Sequence, residues 1–407
     1  MRPNSVSIRK KLVHIWDKFR FLWYFLNYLA AAAVSPLFRR RPEYRHLWLV
    51  SERGTDAQDN GLHFYRYLRR EHPEINAAYL LAADSPDRRF FLPEDRLIRY
   101  RSFSHYLALV LAEYKISSHI MGFAPDMWFF TKLDRIWNMS GKLVFLQHGI
   151  IKDDMPWCHR DNVRLDLFVC GAKPEAEAVA KGFGHPPGVV RCLGLCRYDR
   201  LPGEGEHQKS GVVLFMPTWR APLKDVSLPE FEKSAYYRGI MELLNSQALG
   251  ELLEQYGYRL VFAPHAEVLP YLGCFHSRIS RVETAAPEDR NVQQLLIEAD
   301  VLITDYSSVF FDFAYQRKPL VYYQYDDKEY RSGHYPEGYF SYQKDGFGPV
   351  AAEIPELLRA LEEMLRTGRM EERYARRLGA YFPYHDQENC RRNYEAIAAL
   401  GRKDDET

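Results

Sequence analysis

Four short segments of the 407-residue chain end an apolar run in polar or cationic side chains. KLVFLQHG (142–149) ends in Gln147, His148 and Gly149, and VVLFMPTWR (212–220) in Pro217, Thr218, Trp219 and Arg220. RLVFAPH (259–265) ends in Pro264 and His265, and DVLITDYSS (300–308) in Thr304, Asp305, Ser307 and Ser308. A histidine suits general-base work near neutrality. A guanidinium forks onto phosphate oxygens. Two hydroxyls ahead of an apolar helix add O–H donors to its free N–H groups and suit an anion. The set describes a phosphate-handling site: His148 as base, His265 as phosphate donor or leaving-group acid, and Arg220, Ser307 and Ser308 as phosphate ligands. Helix capping explains one such end, since Asp305 or Ser307 alone suffices. It does not explain four with complementary chemistry.

The fold must gather these ends. From about His46 apolar strands alternate with helices: strands near 46–52, 75–82, 114–118, 142–149, 165–171 and 189–195, with helices at 60–70, 103–113 and 174–182 between several of them. A polar, glycine-containing stretch, PGEGEHQKSG (202–211), reads as a linker. Alternation resumes with strands near 212–219, 258–265, 300–307 and 319–325, a long helical region over 229–256, and helices at 355–366, 370–380 and 386–399. This predicts an α/β protein of two facing, doubly wound parallel domains, 46–205 and 206–380. Such sheets bind ligands beyond the carboxyl ends of their strands, where the four polar ends lie.

Composition narrows the function. The chain is 46% hydrophobic and 27% charged, with a net charge of +1 and no long basic tract in its body, so a nucleic-acid partner is not indicated. Its six cysteines form no CxxC pair and read as free thiols. Asp153–Asp154 and Asp326–Asp327 are adjacent carboxylates that read as solvated loops, and no metal site is expected. There is no GxxxxGK[ST] loop and no GxSxG elbow. Residues 1–45 differ from the rest: a basic start, an apolar run over 21–37 and a second basic cluster at Arg39, Arg40 and Arg41. That pattern predicts attachment to a membrane surface. A span, or a helix packed on the protein's own core, is the alternative.

The motifs LQHGIIKD, LGLCRYDRL, MPTWR, APH, TDYSSVFFDFAYQRKPLVYY and EGYFSYQKDGFGPV, in this order, resemble the CDP-glycerol glycerophosphotransferase family of teichoic-acid primases and polymerases. SERGTDAQDNGLHFYRYLRR and HDQENCRRNYEAI fit the same family, so the resemblance covers roughly 46–397. It implies a GT-B fold with an acceptor-side first domain, a CDP-binding second domain and a C-terminal helix (381–407) crossing back. It also implies an enzyme peripheral to the cytoplasmic face of the membrane. Glycerol phosphate would pass from CDP-glycerol to a hydroxyl of a lipid-linked saccharide, releasing CMP, with no cofactor. By motif, His148 is the base, and Gly149, Ile150, Ile151 and Lys152 line the donor site. Arg197, Pro217, Thr218, His265, Ser307, Ser308 and Asp312 contact the donor. A CDP-ribitol transferase, a nucleotide-sugar glycosyltransferase and a non-catalytic scaffold remain alternatives.

Overall fold

The computed structural model describes residues 5–137, 139–203, 205, 207–285, 291–333 and 336–402, with side chains from Phe19 onward save Ser332 and Arg402. The side chains of the basic N-terminal start and the tail 403–407 therefore lie outside the described residues.

The first sheet has seven parallel strands: β1 (Trp48–Ser51), β2 (Ala77–Leu81), β3 (Leu97–Arg99), β4 (Tyr114–Ser117), β5 (Lys142–Phe145), β6 (Leu167–Cys170) and β7 (Val190–Cys192), in the order 3-2-1-4-5-6-7. The second has six: β8 (Val212–Met216), β9 (Arg259–Phe262), β10 (Val282–Thr284), β11 (Val301–Thr304), β12 (Leu320–Tyr323) and β13 (Val350–Ala351), in the order 10-9-8-11-12-13. Helices cover both faces of such sheets, so interior strands read as unbroken apolar runs. The strands that the sequence reading lacks, β3, β10 and β13, are all sheet edges of two or three residues, too short and too exposed to carry that signal. The expected long helix over 229–256 is three helices, Leu228–Lys233, Ala235–Leu244 and Gln247–Tyr256. Ser234 and Ser246 cap the second and third by accepting from Tyr237 and Leu249 N–H.

Each strand order reverses once, between β1 and β4 and between β8 and β11. Adjacent crossovers diverge there and leave a crevice at the carboxyl edge. One apolar core ties the two sheets together. Ile150, Ala172, Leu195, Tyr198 and Leu201 pack with Tyr306, Phe310, Phe313 and Tyr315 of the second sheet's layer. The helix Asn389–Arg402 returns to the first sheet, burying Cys390, Ala396 and Ile397 in the cluster of Trp48, Val50 and Phe64. Its first turn presses on Gly194, at φ +83°, where a Cβ would stand 1.8 Å from Asn389 Oδ1. No side chain fits at 194 unless the Asn389 side chain is displaced.

The apolar N-terminal segment is part of the helix Ser5–Phe38. One face is packed: Tyr24, Tyr28 and Ala31 are buried, and Phe21, Tyr24 and Tyr28 meet Phe129 and Phe130 of the helix Met127–Trp137. The other face is exposed at Phe19, Leu22, Trp23, Leu26 and Leu29.

Candidate active site

The loop after β5 carries His148 on a strained support. Gln147, just before it, has φ +65°, an uncommon backbone state for a residue with a Cβ. Two contacts hold Gln147, and a third ties the loop beyond it to the Glu175 carboxylate. Asn60 Nδ2 donates to Gln147 O (2.7 Å), Gln147 Nε2 donates to Glu175 Oε1 (2.9 Å), and Ile151 N donates to the same oxygen (2.6 Å). Glu175 Oε2 also accepts from Gly171 and Ala172 N–H. Burial pushes the Glu175 carboxyl up to about 7 against those four donors.

The support turns the His148 ring outward, with its side chain 59% exposed. Its Nδ1 lies 2.6 Å from Asp59 Oδ2, so a proton on Nδ1 is held by the carboxylate and Nε2 faces the crevice. Burial alone would raise the Asp59 carboxyl, but the charges of Arg197 and His148 outweigh it and hold the group well below the usual carboxylate range. Asp59 is in turn fixed by its backbone N–H on the buried carboxylate of Glu52 (2.8 Å). His119, after β4, sits edge-on to His148 with ring centroids 5.9 Å apart. Burial, Arg53 and His148 lower His119 to about 4.

Across the crevice, Ser308 is exposed and Ser307 half-exposed. Ser308 Oγ and Arg197 Nη2 each lie 3.6 Å from where a Cβ on Gly149 would stand, so the HG and SS motifs face each other at contact distance. His265 is exposed on the same side, with Nδ1 accepting from Glu267 N–H (3.2 Å) and its ring beside Trp219 (6.1 Å). Partial desolvation by the neighbouring walls lowers the proton affinity of the imidazole, and Arg53 adds to the effect. Arg53 thus acts on His119 and His265 together.

Several expected donor contacts are engaged elsewhere. Arg220 has a fully buried side chain: Nε and Nη2 fork onto Asp326 (2.8 and 2.7 Å), and Nη2 also donates to Asp305 (2.9 Å). Its donors are thus taken up inside the second sheet's layer and not held out to the crevice, and Asp326 is not a solvated loop residue. Asp305, read as a cap, accepts from Thr218 N (2.8 Å), Thr218 Oγ1 (2.7 Å) and Tyr306 N (2.5 Å), so the Thr218 hydroxyl is committed inside the protein. Pro217 is buried. Thr304 Oγ1 donates across the sheet to Met216 O (2.7 Å). The side chains of Ile150 and Ile151 lie in two apolar cores, and Lys152 is buried with Nζ on Asp153, over the Tyr342 ring. Arg197 and Asp312 bind each other, Nε to Oδ1 at 2.6 Å and Nη2 to Oδ2 at 2.9 Å. His148, Gly149, His265, Ser307 and Ser308 are the expected residues that open onto the crevice.

Sequence reasoning passed over Asp59, His119 and Arg53. All three follow β1 or β4, the strands that flank the first reversal, and strand order was the signal needed to single them out.

Two parallel α/β sheets facing across a polar crevice, with a C-terminal helix returning to the first, are the GT-B architecture. The chain belongs to the CDP-glycerol:poly(glycerophosphate) glycerophosphotransferase family, whose profile matches residues 33–399. It is 32% identical over 391 residues to the minor teichoic acid biosynthesis protein GgaB of Bacillus subtilis (strain 168), covering 90% of this chain and 41% of GgaB. To the teichoic acid poly(glycerol phosphate) polymerase of the same organism it is 29% identical, covering 76% of this chain and 43% of the polymerase. The chain thus spans about two fifths of these relatives. Among solved structures, the wall teichoic acid polymerase TagF superposes with a TM-score of 0.67 at 16% identity, over 96% of this chain and 99% of that one. The S. aureus MnaA–UDP structure has a TM-score of 0.54 at 12% identity, covering 88% and 96%.

Proposed function

We propose that the chain transfers glycerol phosphate from CDP-glycerol to a hydroxyl of a lipid-linked saccharide. The observation that carries this reading is the Asp59–His148 pair, exposed at the carboxyl edge of the first sheet and facing Ser308 of the second. His148 Nε2 takes the proton of the acceptor hydroxyl. The oxygen attacks the β-phosphorus, and the bond from that phosphorus to the bridging oxygen breaks. CMP leaves with the bridging oxygen and its electron pair. Asp59 balances the imidazolium. Ser307, Ser308, His265 and Arg53 supply donors and positive charge to the phosphate oxygens, where fixed donors and positioning provide most of the catalysis. The family and the teichoic-acid relatives support CDP-glycerol over a nucleotide sugar. The fold does not choose, as the likeness to a UDP-bound protein illustrates. The test is CMP release from CDP-glycerol by purified protein with a lipid-linked disaccharide. Acceptor-dependent release supports the reading, and product length separates a primase from a polymerase. No release with CDP-glycerol, but CMP release from CDP-ribitol or nucleoside-diphosphate release from a nucleotide sugar, rejects it.

The same reading puts the enzyme on the cytoplasmic face of a membrane, lying on the bilayer. The exposed stripe Phe19, Leu22, Trp23, Leu26 and Leu29 follows helical spacing, and the neighbouring helix exposes Trp128, Ile136 and Trp137. Exposed Arg39 and Arg40 close the helix end and suit anionic headgroups. By length and composition, Phe19–Phe38 is also apolar enough to cross a membrane. Its packed face, Tyr24, Tyr28 and Ala31, favours lying flat, because a span would uncover Phe129 and Phe130. Trp23→Ser with Trp128→Ser should weaken binding to anionic vesicles at least tenfold, from the loss of about 2 kcal/mol per buried aromatic. Unchanged sedimentation with vesicles rejects this surface.

A further inference from the structure

The Asp59–His148 pair is one end of a longer chain of charges. Asp59 Oδ2 meets His148, while Oδ1 accepts from Arg197 Nη1 at 2.6 Å. The same Nη1 donates to the His148 carbonyl at 2.6 Å. Arg197 turns its other edge to both oxygens of Asp312. Asp312 lies on the helix Val309–Tyr315, one turn beyond Ser308. The chain therefore runs from the crevice hydroxyls of the second sheet to the base of the first. Neutral contacts brace it: Arg197 N–H donates to Asn60 Oδ1 (2.9 Å), and Gln293 Nε2 of the second sheet's layer donates to Arg197 O (3.0 Å).

We infer that Arg197 and Asp312 are positioning residues that couple the closed arrangement of the two sheets to the base strength of His148. One guanidinium serves two carboxylates. With Asp312 seated, the Arg197 charge is balanced from the second sheet, and the charge of Asp59 is left to the His148 ring. With Asp312 withdrawn or neutral, Arg197 takes up the charge of Asp59, and the ring becomes a weaker base. Asp312 travels with Ser307 and Ser308, so the stronger base coincides with the crevice hydroxyls being in place. The other charged or titratable groups around His148 are His119 at its edge, Arg53 and Asp56 that act on His119, Glu52 behind Asp59, and His63, which reaches Gln293 (3.1 Å). All of these belong to the first sheet's layer, whereas Asp312 belongs to the second.

This inference takes its reaction from the phosphotransfer reading, but the electrostatic coupling is tested without a donor. Full-length wild type, Asp312→Asn, Asp312→Glu and Arg197→Gln are treated with diethyl pyrocarbonate across a pH series, and His148 modification is followed by peptide mass mapping. The pH of half-maximal His148 reactivity should fall by about half a unit or more in Asp312→Asn, rise by a similar amount in Arg197→Gln, and stay near wild type in Asp312→Glu. A merely structural tie would move both charge-removing variants the same way. That result, or no movement in either, overturns the inference. Circular dichroism checks folding. If Asp312→Asn misfolds, the upward shift in Arg197→Gln decides alone. In CMP release, Asp312→Asn should lower kcat about tenfold, with KM for CDP-glycerol within about threefold of wild type and the acid limb of kcat moved to lower pH. A raised KM at unchanged kcat would make Asp312 a donor ligand and overturn the inference. If wild type releases no CMP, the proposed reaction fails, while the reactivity series still decides the coupling.

Discussion

Two arginines in this protein each sit between two aspartates, and they have opposite characters. Arg220 lies within the second sheet's layer, its side chain fully buried, its partners Asp305 and Asp326 equally so, with the rings of Tyr236, Tyr306 and Tyr330 around it. Arg197 lies between the sheets with 12% of its side chain exposed, and one of its carboxylates also holds a histidine that faces solvent. The first cluster ties the ends of β8, β11 and β12 into one unit. The second joins two units at the place where chemistry is proposed. The same bidentate geometry thus serves a scaffold or a site according to what lies on its open side: tyrosine rings for Arg220, a crevice for Arg197. In both, burial works against the arginine charge, yet the carboxylates outweigh it and raise the guanidinium well above its usual range.

His148→Ala should lower the rate of CMP release by roughly 10²–10⁴-fold with stability little changed. A loss under tenfold with normal donor binding would remove His148 as the base. Arg220→Met should do the reverse. Leaving Asp305 and Asp326 buried without a cation costs about 3–5 kcal/mol of stability, read by urea unfolding. A fully stable Arg220→Met protein that had lost donor affinity would return Arg220 to the phosphate. Glu175→Gln falls between the two. Its amide cannot accept from all four donors, so about 1–3 kcal/mol should be lost. Because Gln147 is held at positive φ by this carboxylate, kcat should fall with KM little changed.

Acid stability sharpens the contrast between buried groups. Burial lowers His63 and His119 to about 4 and His105 to about 3, from 6.5. As pH falls below 6.5, the unfolded chain takes up protons that these native side chains refuse, so stability drops. Glu52 and Glu175 act oppositely: each is pushed from 4.5 up to about 7, so the native protein holds more protons than the unfolded chain in that window. Native stability should therefore decline slowly from pH 6.5 to about 4.5, then more steeply to about pH 4, where His63 and His119 take up protons of their own. Below that, Asp59, held low by Arg197, adds to the loss. Melting temperature against pH reads this directly, and a steep fall already above pH 5 would contradict the burial of Glu52 and Glu175.

The sequence by itself determined the class. Interior parallel strands are mostly apolar because both faces are covered, so β1, β2, β4–β6, β8, β9, β11 and β12 stand out in the chain, and polar residues just beyond their carboxyl ends mark the crevice. His148, Gly149, His265, Ser307 and Ser308 were legible for that reason: they immediately follow such runs. Tertiary structure alone decided which polar ends remain open. Thr218 and Arg220 look as functional in sequence as Ser307 and Ser308, yet side-chain direction and strand adjacency fold them onto Asp305 and Asp326. Asp59 reaches His148 from 89 positions away, and Arg197 reaches Asp312 from 115. No local pattern encodes such pairings, because they depend on strand order and on how one sheet is set against the other.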